Sequence, residues 1–337
     1  MKRIYGTFGI LAAFVTATVL VANMDGGANA TRNLGTTHES TVRFWTNARV
    51  AAARDRTWVR DRTTGRFRRV ATKKTASSTT GSKWNAGGDI ASNTGRVFFE
   101  MDSSWWTCSA SAVQDLVSGR SLVVTAAHCA YDESGTSGFA TNWMFVPDYA
   151  ALHPGFDPDG VFCEETLHGC WTADALVVSG RYASAGGFNS TAVLHDYAFA
   201  VLGAGGSSMQ QLDAVVVPNQ VSWTSRSSSA DTWLFGYPAA GRYKGDSLVY
   251  CHGPLGTDPR MDDLTYRIPC AMTGGSSGGP WLSPFAATGT TKGSGTVFSV
   301  TSYSYAGTKF LHGPIFSAET TSMYAIALSA TSNTLVP

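Results

Sequence analysis

The run Thr125-Ala126-Ala127-His128-Cys129 and, further on, Gly275-Ser276-Ser277-Gly278-Gly279-Pro280 decide how this chain is read. The first sets a histidine at the end of the apolar run Leu122-Val123-Val124, beside a cysteine. The second sets a serine inside a glycine cluster, where backbone N–H groups can converge on one point. Serine and histidine are weak reagents alone; an acid that orients the imidazole makes them a nucleophile and its base. Such an acid lies between them in His195-Asp196-Tyr197-Ala198-Phe199-Ala200-Val201-Leu202. Asp174 and Asp213 also lie between His128 and Ser277, but only Asp196 leads directly into a strong apolar strand.

With these residues in this order, the chain resembles the trypsin-like (chymotrypsin-fold) serine peptidases, from about Gly95 onward. Cys108-Ser109-Ala110-Ser111-Ala112-Val113, Trp143-Met144-Phe145-Val146-Pro147 and Phe235-Gly236-Tyr237-Pro238 look like the secreted bacterial and fungal branch near the glutamyl endopeptidases. The resemblance implies an all-β fold: two six-stranded antiparallel barrels, the active site in the cleft between them, and a short C-terminal helix. It implies a serine endopeptidase, with His128 as general base, Asp196 as its orienter and Ser277 as nucleophile. The backbone N–H groups of Gly275 and Ser277 would form the oxyanion hole.

Two departures from the trypsin pattern bear on specificity. Trypsins have Asp before the nucleophile, and this chain has Ser276. Trypsins also carry a pocket Asp six residues before the nucleophile, where this chain has Ala271. The glutamyl branch uses a pocket histidine on the strand aligned with Val300-Thr301-Ser302-Tyr303-Ser304; its place falls on Thr301. Neither an Arg/Lys nor a Glu preference is therefore expected. Ala271, Thr301, Ser302, Tyr303 and Ser304 are the expected substrate-binding residues.

Rival readings are weaker. The serine run also satisfies G-x-S-x-G, the nucleophile elbow of α/β-hydrolases, but an esterase of that fold needs its acid and then its histidine after the serine. After Ser277 the acid Glu319 follows His312, the wrong order. A catalytically dead binding protein usually lacks a triad residue, and none is missing here.

The N-terminus reads as a signal peptide, residues 1–30: Lys2 and Arg3, a mostly apolar run from Ile4 to Val21, then Ala28-Asn29-Ala30 as a small-x-small site. A membrane anchor is disfavoured because Gly6, Thr7, Gly9, Thr16 and Thr18 interrupt a run already short for spanning. A secreted, extracellular protein without membrane or nucleic-acid partners is expected. Export permits disulfides. Six cysteines allow 15 pairings; chain order and the resemblance together favour Cys108–Cys129, Cys163–Cys170 and Cys251–Cys270. A zinc site is the competing use of these cysteines, but no CxxC pair occurs.

Net charge is +1, yet the chain is electrically divided. Residues 31–83 carry 13 Lys and Arg against three acids, and residues 84–337 carry 10 against 20. A Ser/Thr/Gly stretch at 76–82 marks the junction. A basic block can be a solvated tail or a surface-binding arm. Its length, its position and the opposed signs favour a pro-segment at 31–83 that docks on its own catalytic domain, 84–337.

Within 84–337, short apolar or alternating runs recur between Gly- and Ser-rich turns: residues 96–101, 121–125, 143–146, 214–217, 247–250 and 296–301. They read as an all-β protein, and the family resemblance implies that they divide into a first barrel at about 95–205 and a second at about 206–337. Residues 318–328 suit a short helix with Ser317 as N-cap. No cofactor is implied. Asp157, Asp159, Glu164 and Glu165 offer oxygens that suit a structural calcium ion, but their spacing matches no defined loop. His153, His168, His252 and His312 sit in Gly/Pro-rich or loop contexts and read as surface residues, and His195 should point away from the site if its segment is extended. The expected partners are a polypeptide substrate and the chain's own basic pro-segment, with the enzyme a monomer.

Overall fold

The computed structural model describes residues 37–69, 81–115, 119–151, 157, 159–290 and 292–337. The expected signal peptide, most of the 76–82 junction and His153 lie outside the described residues.

Six antiparallel strands close into a first barrel. Thr94–Met101 pairs with Ser104–Val113 on one side and Thr141–Pro147 on the other. Thr141–Pro147 pairs with Trp171–Ser179, which pairs with Ala198–Leu202. Ser121–Thr125 then joins Ala198–Leu202 back to Ser104–Val113. Burial on both faces makes Leu122-Val123-Val124 and Ala198–Leu202 continuous apolar runs, while Ser104–Val113 alternates in small polar residues that are buried too. Val97, Phe99, Val123, Ala198 and Ala200 enter one core cluster, while Phe98, Leu122, Val124, Phe199 and Val201 enter a second. The second cluster also holds Phe235, Leu282, Val297 and Met323. One face of the barrel is thus glued to the rest of the molecule.

A second, barrel-like body follows. Asp231–Gly236 pairs with Val249–Pro254 and Pro280–Phe285, Pro280–Phe285 with Gly295–Val300, and Thr265–Pro269 with Phe310–Pro314. These six strands form two sheets, which meet where Val249–Pro254 runs beside Thr265–Pro269 and Gly295–Val300 beside Phe310–Pro314. The Cys251–Cys270 disulfide ties the first of these contacts. The helix Ala318–Ala327 follows, with Thr320 Oγ1 accepting the backbone N–H of the N-cap Ser317 at 3.1 Å, and after it the short strand Thr334–Val336 adds in parallel to Trp171–Ser179. The helix buries Met323 and Ala327.

Residues 37–69 do not form a separate layer. Two short helices, His38–Phe44 and Asn47–Ala52, flank a fully buried Trp45, whose indole N–H bonds the Asn142 carbonyl at 2.7 Å. Arg54–Asp55 then adds in parallel to Ser104–Val113. Trp58–Arg60 adds in parallel to Tyr303–Tyr305, a strand that also pairs with Phe310–Pro314. Phe67–Arg69 folds back on Trp58–Arg60 as a hairpin.

Two expectations are corrected. Ala214-Val215-Val216-Val217 is no strand: Leu212–Ala214 is a 3-10 turn, and Val217 is 57% exposed before Pro218. β-propensity alone builds no strand where no ladder partner is available. His312 is buried rather than a surface residue, because it lies within the strand Phe310–Pro314.

Phe199→Ala is expected to cost about 3–5 kcal/mol of stability through the cavity it leaves, whereas Leu335→Ala, at a side chain 41% exposed, should stay within about 0.5 kcal/mol. Denaturant melts of the two variants check this.

Candidate active site

His128 sits in a 3-10 turn, Ala127–Cys129, directly after the strand Ser121–Thr125. The Cys108–Cys129 disulfide fastens that turn to the neighbouring strand, and the Trp143 indole N–H bonds the Cys129 carbonyl at 3.0 Å. Asp196 stands between the 3-10 turn Ala192–His195 and the strand Ala198–Leu202. Its Oδ2 lies 2.8 Å from His128 Nδ1, and its Oδ1 accepts the His128 backbone N–H at 2.9 Å. The Ser302 hydroxyl, from the other half of the molecule, donates to Oδ2 at 2.5 Å. His128 and Asp196 are both fully buried. His195 turns away and meets Glu319 at 3.1 Å.

The loop carrying Ser277 is built by close backbone approach. Gly275 has φ +93°, and a Cβ there would meet the Ala239 nitrogen at 2.7 Å. Gly278 has φ +79°, and its Cβ would meet Thr125 Oγ1 at 2.1 Å. Only glycine satisfies both demands. The amides of Ser276, Gly278 and Gly279 bond the carbonyls of Thr273, Thr301 and Ser276, and the Ser277 carbonyl accepts the Ser109 N–H at 2.7 Å. The Ser276 hydroxyl bonds the Thr273 carbonyl within the same turn, at 2.8 Å.

Ser277, Ala271, Thr301, Ser302, Tyr303 and Ser304 all line one cavity of about 840 Å³. Its lining carries cations, Arg242, Lys244 and Lys309, and no carboxylate among the described residues. The Thr301 hydroxyl accepts the Trp281 indole N–H at 3.0 Å.

The cleft is occupied. Thr57, Trp58, Val59 and Arg68 line the same cavity. Trp58 stacks on Phe188 at 4.5 Å, and Phe188 stands edge-on to the His128 ring at 5.6 Å. The Arg56 carbonyl is 3.5 Å from Ser277 Oγ, while His128 Nε2 is buried with no hydrogen-bond partner among the described residues. The serine hydroxyl therefore faces the N-terminal arm, not the imidazole.

Behind the cleft strand lies a network that sequence reading missed. Asp258 Oδ2 accepts the hydroxyls of Tyr303 at 2.8 Å and Tyr305 at 2.7 Å. The His312 ring stacks on Tyr303 at 4.7 Å, with Nε2 3.8 Å from Asp258. Burial lowers the His312 pKa to about 4, against the pull of the Asp258 charge. The other two disulfides are Cys163–Cys170 and Cys251–Cys270. Near Cys163, Glu165 accepts the Asn47 amide at 2.7 Å, a contact between the arm and the loop clipped by the Cys163–Cys170 disulfide.

No family model and no curated protein matches the chain. Solved structures do. The protease Anisep from Arthrobacter nicotinovorans is 30% identical over 74% of this chain and 100% of its own, with a TM-score of 0.59. A thermostable serine protease, AL20, from an extremophilic microorganism is 32% identical over 71% of this chain and 98% of its own, with a TM-score of 0.57. A Glu endopeptidase, 15% identical over 75% of this chain and 98% of its own, shares the fold at a TM-score of 0.51. The chain belongs to the trypsin-like serine proteases of the chymotrypsin fold.

A histidine that stays neutral when folded, but protonates when unfolded, removes stability as pH falls between the two pKa values. Stability is expected to drop between pH 6.5 and about 4, His312 contributing on the order of 3 kcal/mol. His312→Phe should flatten that window, as read from urea melts across the pH range.

Proposed function

We propose that this protein is a secreted serine endopeptidase made as a self-blocked precursor. Ser277 Oγ attacks a peptide carbonyl while His128 Nε2 takes its proton. Asp196 holds the imidazole with Nδ1–H toward itself and stabilises the imidazolium that forms. The Gly275 and Ser277 N–H groups hold the oxyanion. His128 returns the proton to the leaving amine, and water hydrolyses the acyl-enzyme. The observation that carries the reading is the buried Asp196 carboxylate, which accepts both N–H groups of His128 and the Ser302 hydroxyl beside a serine loop at the mouth of a substrate-sized cavity.

Residues 1–30 act as signal peptide and 31–83 as pro-segment, leaving 84–337 as the catalytic domain. The serine protease relatives cover 74% and 71% of the chain, a share that 84–337 alone can fill. The disulfides suit an oxidising compartment, and among the described residues no helix is long and apolar enough to cross a membrane. The enzyme works as a monomer on polypeptide substrates. Its primary pocket gives Arg or Lys no carboxylate partner, and Thr301 stands where the glutamyl branch has its pocket histidine, so neutral residues precede the scissile bond.

Ser277→Ala is expected to lower turnover on the order of a millionfold with little change in thermal stability. His128→Ala should lose about as much, and the double variant no more than either. Substantial activity in Ser277→Ala would refute the assignment.

A further inference from the structure

Arg56 presents its carbonyl to Ser277, but its side chain avoids the cavity lined by Ala271. It enters the body beside the base instead, and is fully buried. Its Nη2 lies 2.9 Å from Glu133 Oε2 and 3.6 Å from Asp132 Oδ1, and its Nη1 donates to the His128 carbonyl. Both acids are themselves buried. Arg69, on the arm's returning strand, reaches Glu133 Oε1 at 2.9 Å.

The acids are not positioned by Arg56 alone. Asp132 Oδ2 accepts the Ser134 hydroxyl at 2.6 Å and the backbone N–H groups of Thr136 and Ser137 at 3.1 and 3.0 Å. The Tyr182 hydroxyl stands 3.5 Å from Glu133 Oε2. All of these partners belong to the catalytic part of the chain, so they remain when the arm leaves. What departs is the pair of guanidiniums, and two neighbouring carboxylates deprived of their cations are costly to keep buried. Arg56 meets both carboxylates through the single nitrogen Nη2, as ion pairs, while Nη1 bonds the His128 carbonyl, so the flat guanidinium spans three groups that a lysine ammonium, a compact point charge, would not reach together.

We propose that Asp132 and Glu133 form a second subsite of the cleft, selective for a guanidinium. In the full chain Arg56 fills it; once the arm is gone it takes an arginine side chain of the substrate, at a position other than the one that enters the Ala271 cavity. The inference rests on the protease reading and on the arm being removed.

The first test is independent of catalysis. In the full-length Arg56→Ala protein, millimolar N-ethylguanidinium should raise the melting temperature by about 2–4 °C, and N-ethylurea, its neutral isostere, should not. Adding Asp132→Asn and Glu133→Gln should abolish the shift. Equal shifts with both compounds, or no shift with either, overturn the proposal; Arg56→Met serves if the alanine variant does not fold. The second test scans peptide substrates of the secreted enzyme with arginine or citrulline at each position flanking the scissile bond. At one position arginine should win at least about tenfold in kcat/KM, and the double acid variant should lose that advantage. An arginine-to-citrulline ratio near one at every position contradicts the subsite. Failure of the protease reading looks different: no turnover and no labelling of Ser277 by a fluorophosphonate, whatever the melts show.

Discussion

The buried carboxylate of Asp196 is the point on which the site depends. A charge this deep needs its oxygens filled, and they are filled by three donors: the backbone and ring N–H groups of His128, and the Ser302 hydroxyl. His128 and Asp196 come from the first barrel, and Ser302 follows the second body's strand Gly295–Val300. Satisfying one carboxylate therefore sets the imidazole's orientation and holds the two halves in register. The apolar cluster that runs from Phe199 to Leu282 supplies the adhesion; the carboxylate supplies the alignment.

The arm lies in the same cleft. Trp58–Arg60 runs parallel to Tyr303–Tyr305. A parallel ladder still gives the arm hydrogen bonds, while Trp58 covers the His128 ring through Phe188 and Arg56 sets a carbonyl before the Ser277 hydroxyl. The serine–imidazole hydrogen bond is not made in this arrangement, so proton transfer from Ser277 to His128 has no direct path. Part of the opposition between the basic N-terminal segment and the acidic remainder becomes specific here: Arg56 and Arg69 converge on Asp132 and Glu133.

What could be read from the sequence was local. TAAHC, the Asp196 strand entrance and the glycine-flanked serine each carry their chemistry within a few residues, and the strands of the first barrel are compact apolar runs. Ser302 was legible only as part of a cleft-lining strand, since an isolated serine does not announce that it caps a carboxylate across the cleft. His312 reads as a loop residue because Gly313 and Pro314 follow it, yet Pro314 ends a strand and Gly313 packs its backbone against the Val300 carbonyl. The run 214–217 has the composition of a strand and no ladder to join. That the basic segment threads the cleft follows from tertiary pairing, which charge and length alone do not encode.

Accessibility of Ser277 reports most directly whether the arm closes the cleft. A fluorophosphonate should label the intact chain slowly, because Arg56 and Trp58 cover Ser277 and His128. After the arm has been cut within 70–83 and separated, labelling of Ser277 should become much faster. Equal rates before and after would show that the arm does not hold the cleft closed, and would contradict the central claim.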